Sequence, residues 1–97
     1  IRALVNSESV YYKYQILCSN KDQRESIKTY MMDQGIRTGA VYNPPIHLQP
    51  LYKGKEKCSL KNSEDIAPRL LALPMYNGMA RKDIKKVIIA IQGIGSL

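Results

Sequence analysis

Ile84, Val87, Ile88 and Ile91 recur at i, i+3, i+4 and i+7 near the C-terminus, with Arg81, Lys82, Lys85 and Lys86 on the opposite side. That spacing is the period of an α-helix with one apolar face, and such a face must be buried against another element. It is the strongest periodic signal in the chain, and Gly93 and Gly95 end it. A second helix is predicted over residues 21–34, where Ile27, Tyr30, Met31 and Gln34 share a side. Asn20 reads as its N-cap and Gln23 as the capping-box partner. Gly35 closes it, because a helix commonly ends on a residue that tolerates positive φ.

The strands are shorter and weaker. Residues 10–18 alternate, with Val10, Tyr12, Tyr14, Ile16 and Cys18 on the better-buried face and Tyr11, Lys13, Gln15 and Leu17 on the other. Residues 36–42 read as a second strand, weakened by Gly39 and stopped by Asn43-Pro44-Pro45. Leu70–Leu73 reads as a third, halted by Pro74, with a turn at Tyr76-Asn77-Gly78. Between them, residues 43–66 are polar, Lys-rich and aperiodic, and so are expected to form a long loop. The predicted order is β-α-β-loop-β-α. It gives an α+β fold, a short sheet with two amphipathic helices on one face. The other sheet face, carrying Tyr11 and Leu17, is left without a neighbour.

Composition narrows the class. A chain of 97 residues is read as one domain, residues 1–97, with one modest core. Its 44% apolar and 24% charged residues suit a globular chain and exclude disorder. No apolar run approaches the roughly 20 residues of a membrane span, so no membrane partner is expected. Asn6-Ser7-Glu8-Ser9 makes the start too polar for a signal peptide. Cys18 and Cys58 lie too far apart for a zinc site and are too few for a disulfide scaffold. A reducing, cytoplasmic setting follows. The chain starts at Ile1, which suggests processing or a piece of a longer protein.

The formal charge of +7 favours anionic partners. Lys53, Lys55, Lys57 and Lys61 form one basic group in the loop, and Arg81, Lys82, Lys85 and Lys86 the other on the last helix. A solvated face explains both as well as a binding surface does. Phe and Trp are absent, only Tyr52 lies near the loop lysines, and no helix-turn-helix, zinc-finger or aromatic RNA-binding signature occurs. The residues therefore argue against nucleic acid.

One loop stands out. The single histidine lies in Tyr42-Asn43-Pro44-Pro45-Ile46-His47-Leu48-Gln49-Pro50-Leu51-Tyr52. Prolines stiffen it, and Tyr42, His47, Gln49 and Tyr52 are polar-tipped groups able to converge on a ligand. A lone loop histidine is equally compatible with no role at all. No nucleophile elbow, P-loop or dinucleotide fingerprint is present, so no catalytic residue and no metal ligand is assigned. Asp22, Glu25 and Asp83 suit first turns of helices. None of the ten lysines lies in an apolar run that would desolvate it, so no Schiff-base lysine is evident.

The loop and its surroundings resemble the C-terminal small domain of the DegT/DnrJ/EryC1/StrS sugar aminotransferases. The matching features are Tyr11-Tyr12-Lys13-Tyr14, Gly35-Ile36-Arg37-Thr38, the Tyr42 to Tyr52 segment with its His47-Leu48-Gln49-Pro50, Leu71-Ala72-Leu73-Pro74-Met75-Tyr76, and Asp83-Ile84 opening the last helix. They run nearly end to end in order. Two departures occur: Ala80 stands where the family places a capping Thr or Ser, and the stretch between Tyr52 and Pro74 is Lys-rich.

The resemblance implies a fold-type-I enzyme using pyridoxal phosphate. It would transfer an amino group from an amino-acid donor, often glutamate, to a nucleotide-linked keto sugar in polysaccharide biosynthesis. It implies a homodimer, and a large N-terminal domain that supplies the Schiff-base lysine and the cofactor contacts. By the same resemblance this chain alone binds no cofactor and is inactive, while Tyr42, His47 and Gln49 border the substrate. The alternative is a stand-alone basic module for nucleic acid or an acidic protein.

Overall fold

A computed structural model describes residues 5–40, 42–52, 54 and 59–96. Strand β1 (Tyr14–Leu17) is followed by helix α1 (Lys21–Asp33), a 3-10 turn (Ile46–Leu48), helix α2 (Lys61–Ile66), a second 3-10 turn (Ala67–Arg69), strand β2 (Leu70–Leu73), helix α3 (Arg81–Gln92) and a last 3-10 turn (Gly93–Ser96). The class is α+β. β1 and β2 pair antiparallel, with Tyr14 opposite Leu73 and Leu17 opposite Leu70.

That register explains why the strand expected over residues 10–18 shrinks to four residues. The partner beyond Leu73 is Pro74, which has no N–H to donate to a ladder. Tyr11 also turns away at φ 50°, in the left-handed region that bulky residues seldom adopt. Val10, Tyr12 and Tyr14, expected on the buried face, are therefore exposed, and only Ile16 and Cys18 of that set turn into the core.

The strand expected over residues 36–42 is a single bridge. Gly39 N–H donates to Ala72 O at 2.9 Å and Ala72 N–H donates back to Gly39 O at 2.8 Å. Gly39 brings no side chain to pack, and among the described residues of this segment the pairing is confined to that bridge; Val41 lies outside the described residues. β2 is thus flanked by β1 on one edge and by Gly39 on the other.

Helix α1 follows its sequence signals closely. The Asn20 side chain accepts from Gln23 N–H at 2.8 Å, and Gln23 Oε1 accepts from Ser19 N–H at 2.6 Å. The return bond reaches one residue further than a capping box requires. At the other end Gly35, at φ 77°, allows a Schellman turn: Ile36 N–H donates to Met31 O and Gly35 N–H to Met32 O. Met31 and Ile36, which bracket that turn, both lie in the core.

The core gathers Cys18, Ile27, Met31, Ile36, Leu71, Leu73 and Ala90, with Ile16, Tyr30, Val87, Ile91 and Ile94 packed against it. Both long helices thus meet the Leu71–Leu73 face of the sheet. Two arginines tie the elements together. Arg24, buried on α1, donates to Leu70 O at 2.8 Å and pairs with Glu25. Arg69 donates to Cys18 O at 2.9 Å, while Cys18 N–H donates to Arg69 O at 2.9 Å. Charge-assisted bonds of this kind contribute about 1.5–3 kcal/mol each. Burial pushes the Cys18 thiol pKa up, and the Arg24 and Arg69 guanidiniums pull it partly back.

Helix α3 forms where expected, but its apolar stripe is only half covered. Ala90 is its one buried residue, Val87 and Ile91 are half-buried, and Ile84 and Ile88 remain 41% and 47% exposed. Beside them lies an apolar groove of about 460 Å³, floored by Leu73 and Pro74 and walled by Met75, Tyr76, Ile84 and Ile88. Among the described residues, no helix is long and apolar enough to cross a membrane.

Candidate functional site

The segment expected to be one long loop contains two ordered pieces, which face each other. Pro45 precedes the 3-10 turn Ile46–Leu48, closed by Leu48 N–H donating to Pro45 O at 2.9 Å. Gln49 N–H then donates to Ile46 O at 3.1 Å, and Tyr52 N–H to Gln49 O at 2.9 Å. Successive prolines favour such a tight, stiff path. The second piece is α2, six residues long with no side-chain cap at Leu60. So short a helix is not stable on its own. It is secured from outside, by His47 at Glu64 and by Arg69 at Asp65.

The centre of the site is the pair His47 Nε2 and Glu64 Oε1, 2.9 Å apart. The His47 side chain is only 10% exposed and that of Glu64 35%. A carboxylate accepts and never donates when ionised, so Nε2 carries the proton and donates to it. The arrangement fixes the ring plane and leaves Nδ1 as the group able to meet a ligand. Neutral, Nδ1 accepts a hydrogen bond from a hydroxyl; protonated, it donates to an anionic oxygen.

The other residues expected at this site behave differently. Gln49 folds back, donating its amide N–H to Pro44 O at 2.5 Å, which braces the turn carrying His47. Tyr42 is 64% exposed and Tyr52 is exposed, both beside the turn. The structure therefore brings His47 together with Glu64, uses Gln49 as a brace and leaves Tyr42 exposed beside the turn. Of the loop lysines, Lys53, Lys55 and Lys57 lie outside the described residues, as does Cys58, and Lys61 is exposed at the start of α2.

Sequence reasoning missed Glu64, Arg24 and Arg69. Asp65 and Arg69 stand at i and i+4, which is a helix-pair signal and could have revealed α2. Glu64 lies 17 residues from His47, and nothing in the local pattern links them.

The described residues do not by themselves fit pyridoxal phosphate. Lys13, Lys21, Lys28, Lys61, Lys82, Lys85 and Lys86 are all exposed, whereas an imine-forming lysine needs a desolvated setting to be a nucleophilic amine. Among the described residues there is also no group of three or more His, Cys, Asp or Glu able to hold a metal ion.

Comparison with known proteins gives a consistent relationship. The model of the family described as the DegT/DnrJ/EryC1/StrS aminotransferase family matches residues 2–92. The UDP-2-acetamido-2-deoxy-3-oxo-D-glucuronate aminotransferase of Pseudomonas aeruginosa is 30% identical over 87 residues, covering 90% of this chain and 23% of its own. The dTDP-3-amino-3,6-dideoxy-alpha-D-galactopyranose transaminase of Aneurinibacillus thermoaerophilus is 30% identical over 73 residues, covering 75% of this chain and 20% of its own. A pleiotropic regulatory protein of Geobacillus stearothermophilus is 28% identical over 81 residues, covering 81% and 21%. The chain spans about a fifth of the length of the curated relatives it matches.

Proposed function

This chain belongs to the DegT/DnrJ/EryC1/StrS aminotransferase family, and from that premise we propose that it is the C-terminal, substrate-side domain of a pyridoxal-phosphate transaminase acting on nucleotide-linked keto sugars. Its part is to bind and orient the sugar substrate; the cofactor, held by the rest of the protein, supplies the electron sink for amino transfer. The observation that carries this reading is the His47–Glu64 pair on a Pro-braced turn. A ring held in one plane by a carboxylate offers a fixed Nδ1, and a fixed partner lowers the entropic cost of positioning a substrate. Tyr42, exposed at the entrance to the same turn, adds a hydroxyl for the sugar or its diphosphate. The whole protein works as a cytoplasmic homodimer with an amino-acid donor such as glutamate.

The test is amino transfer from glutamate to a nucleotide-linked keto sugar, measured with pyridoxal phosphate present. The protein expressed from its natural gene, with a cofactor lysine upstream of Ile1, is expected to turn over. The 97-residue chain alone is expected to show no turnover, and borohydride with the cofactor should not label it stoichiometrically at one lysine. Turnover by the isolated chain, or a natural gene product with no cofactor lysine, overturns the proposal.

A further inference from the structure

We propose that Asn77 is a site of spontaneous covalent modification, at which the side-chain amide is lost to water through a cyclic imide formed with Gly78. The turn holding these two residues leads from β2 and Pro74 into α3, and both are exposed at its tip. Met79 N–H donates to Tyr76 O at 3.3 Å across the turn. Among the described residues, neither the Asn77 side chain nor the Gly78 N–H takes part in a hydrogen bond. Gly78 stands at φ 78°, and nothing lies within 4 Å of where a Cβ would be. Its nitrogen is thus open to water and base, and no side chain on residue 78 obstructs its approach to the Asn77 side-chain carbon. Base removes the Gly78 amide proton, and the nitrogen attacks Asn77 Cγ. The N–Cγ bond forms, the Cγ–Nδ2 bond breaks, and ammonia leaves after taking a proton from water. Water then opens the imide. Breaking the N–Cγ bond gives aspartate; breaking the bond from that nitrogen to the main-chain carbonyl carbon gives isoaspartate, with the peptide running through Cγ. The sequence neither oxidises nor reduces any atom, and water is its only co-reactant.

The fold withholds these conditions from the other four asparagines. Asn20 is held as the cap of α1, its Oδ1 accepting from Gln23 N–H at 2.8 Å. Asn43 precedes Pro44, whose nitrogen carries no proton to lose. Asn62 lies inside α2, where a helical backbone keeps the next nitrogen away from the side-chain carbon. Asn6 is exposed, but the residue after it is Ser7, whose Cβ crowds the attack. Asn77 alone combines exposure, an unengaged side chain and a following glycine. The change also bears on the surface around it. Tyr76 and Met79, on either side of the pair, line the apolar groove beside Ile84 and Ile88. Deamidation sets a carboxylate at the edge of that groove, and the isoaspartyl form adds a carbon to the main chain between Tyr76 O and Met79 N–H, so the turn into α3 must reform. None of this chemistry depends on the transaminase reading.

The test is to age the protein expressed from its natural gene in mildly alkaline buffer, folded and in urea, and to follow each asparagine peptide by mass spectrometry. An isoaspartate-specific methyltransferase marks the isoaspartyl product. In the folded protein Asn77 is expected to lose its amide first, ahead of Asn6, giving both aspartate and isoaspartate, and faster as pH rises. Urea should speed the loss at Asn20 and Asn62 far more than at Asn77. Gly78→Ala should slow the loss at Asn77 about fivefold or more. Asn77→Gln, which leaves Gly78 and the turn as they are, should abolish the isoaspartate signal in this peptide, because its longer side chain needs a larger, slower-forming ring. Loss at Asn77 no faster than at Asn6 would overturn the proposal, as would aspartate without isoaspartate, which means direct hydrolysis with no imide. So would loss at Asn77 seen only in urea, because the turn would then be covered in the folded protein.

Discussion

Helices α1 and α3 are nearly equal in length, 13 and 12 residues, and are treated very differently by the fold. α1 has a mediocre apolar repeat, yet it is capped at both ends, buries Ile27 and Met31, and anchors Arg24 to the sheet. α3 carries the cleanest apolar repeat in the chain, yet it starts without a side-chain cap and leaves Ile84 and Ile88 exposed beside an apolar groove. A periodic pattern states which side of a helix is apolar. It does not state whether the surface that covers that side belongs to the same stretch of chain. Stability within these 97 residues therefore rests on α1 and the sheet, while α3 is a helix whose strongest feature is only partly used.

The largest expected difference between the two is in core truncation. Met31→Ala removes a fully buried side chain and should cost about 2–5 kcal/mol. Ile88→Ala, half exposed in the groove, should cost about 1 kcal/mol or less. Urea unfolding of the chain followed by far-ultraviolet dichroism measures both. Equal losses would show that the groove side of α3 is as tightly packed as the α1 side.

The caps give a smaller contrast of opposite sign. Asn20→Ala should destabilise by about 1 kcal/mol, because the bond to Gln23 N–H is lost. Ala80→Ser should stabilise by about 0.5–1 kcal/mol, since α3 then gains the cap it lacks. Failure of Ala80→Ser to stabilise would mean that the first turn of α3 is already satisfied.

The smallest effect is a pH dependence confined to the core side. Burial raises the Cys18 pKa above its ordinary value of 9.0. The unfolded thiol thus ionises first, and above that pH the unfolded state binds fewer protons than the folded one. Stability contributed by the neutral thiol is complete below the unfolded pKa and falls as pH rises through it. Unfolding midpoints compared at neutral and strongly alkaline pH should show a loss that Cys18→Ala reduces. A midpoint that Cys18→Ala leaves equally pH-dependent would assign the loss elsewhere.

How much of this was legible in the sequence follows the same divide. The limits of α1, its Asn20 cap and its Gly35 turn were readable because each depends on residues within one or two turns. The short β2 was readable from Leu70–Leu73 and Pro74. The ends of β1 were not, because they are set by the register against Pro74, a contact between residues about sixty positions apart. The strand at 36–42 was shortened for a related reason: the local sequence showed that the segment could extend, but not that, among its described residues, Gly39 would be the one to meet β2. α2 has no apolar repeat and is held by His47 and Arg69 from outside, so local pattern contained little of it. At the site, His47 was visible as the only histidine on a Pro-rich turn, and Glu64 was invisible because its role arises only in three dimensions. Gln49 was read as a ligand contact, and the bond from its amide N–H to Pro44 O, which braces the turn, was not legible in the sequence.

The central claim is that His47, oriented by Glu64, serves the substrate and not the core. Steady-state kinetics of His47→Ala and Glu64→Gln in the full protein, paired with thermal melts and the cofactor absorbance, test it most directly. His47→Ala is expected to lower kcat/KM for the nucleotide sugar about 10- to 100-fold, with cofactor absorbance intact and the melting temperature within a few degrees. Glu64→Gln should fall between that variant and the unaltered protein, since a carboxamide keeps a weaker bond to Nε2. Unchanged kinetics in His47→Ala, or a collapsed melting temperature, would contradict the account and make the pair a structural clasp between the turn and α2.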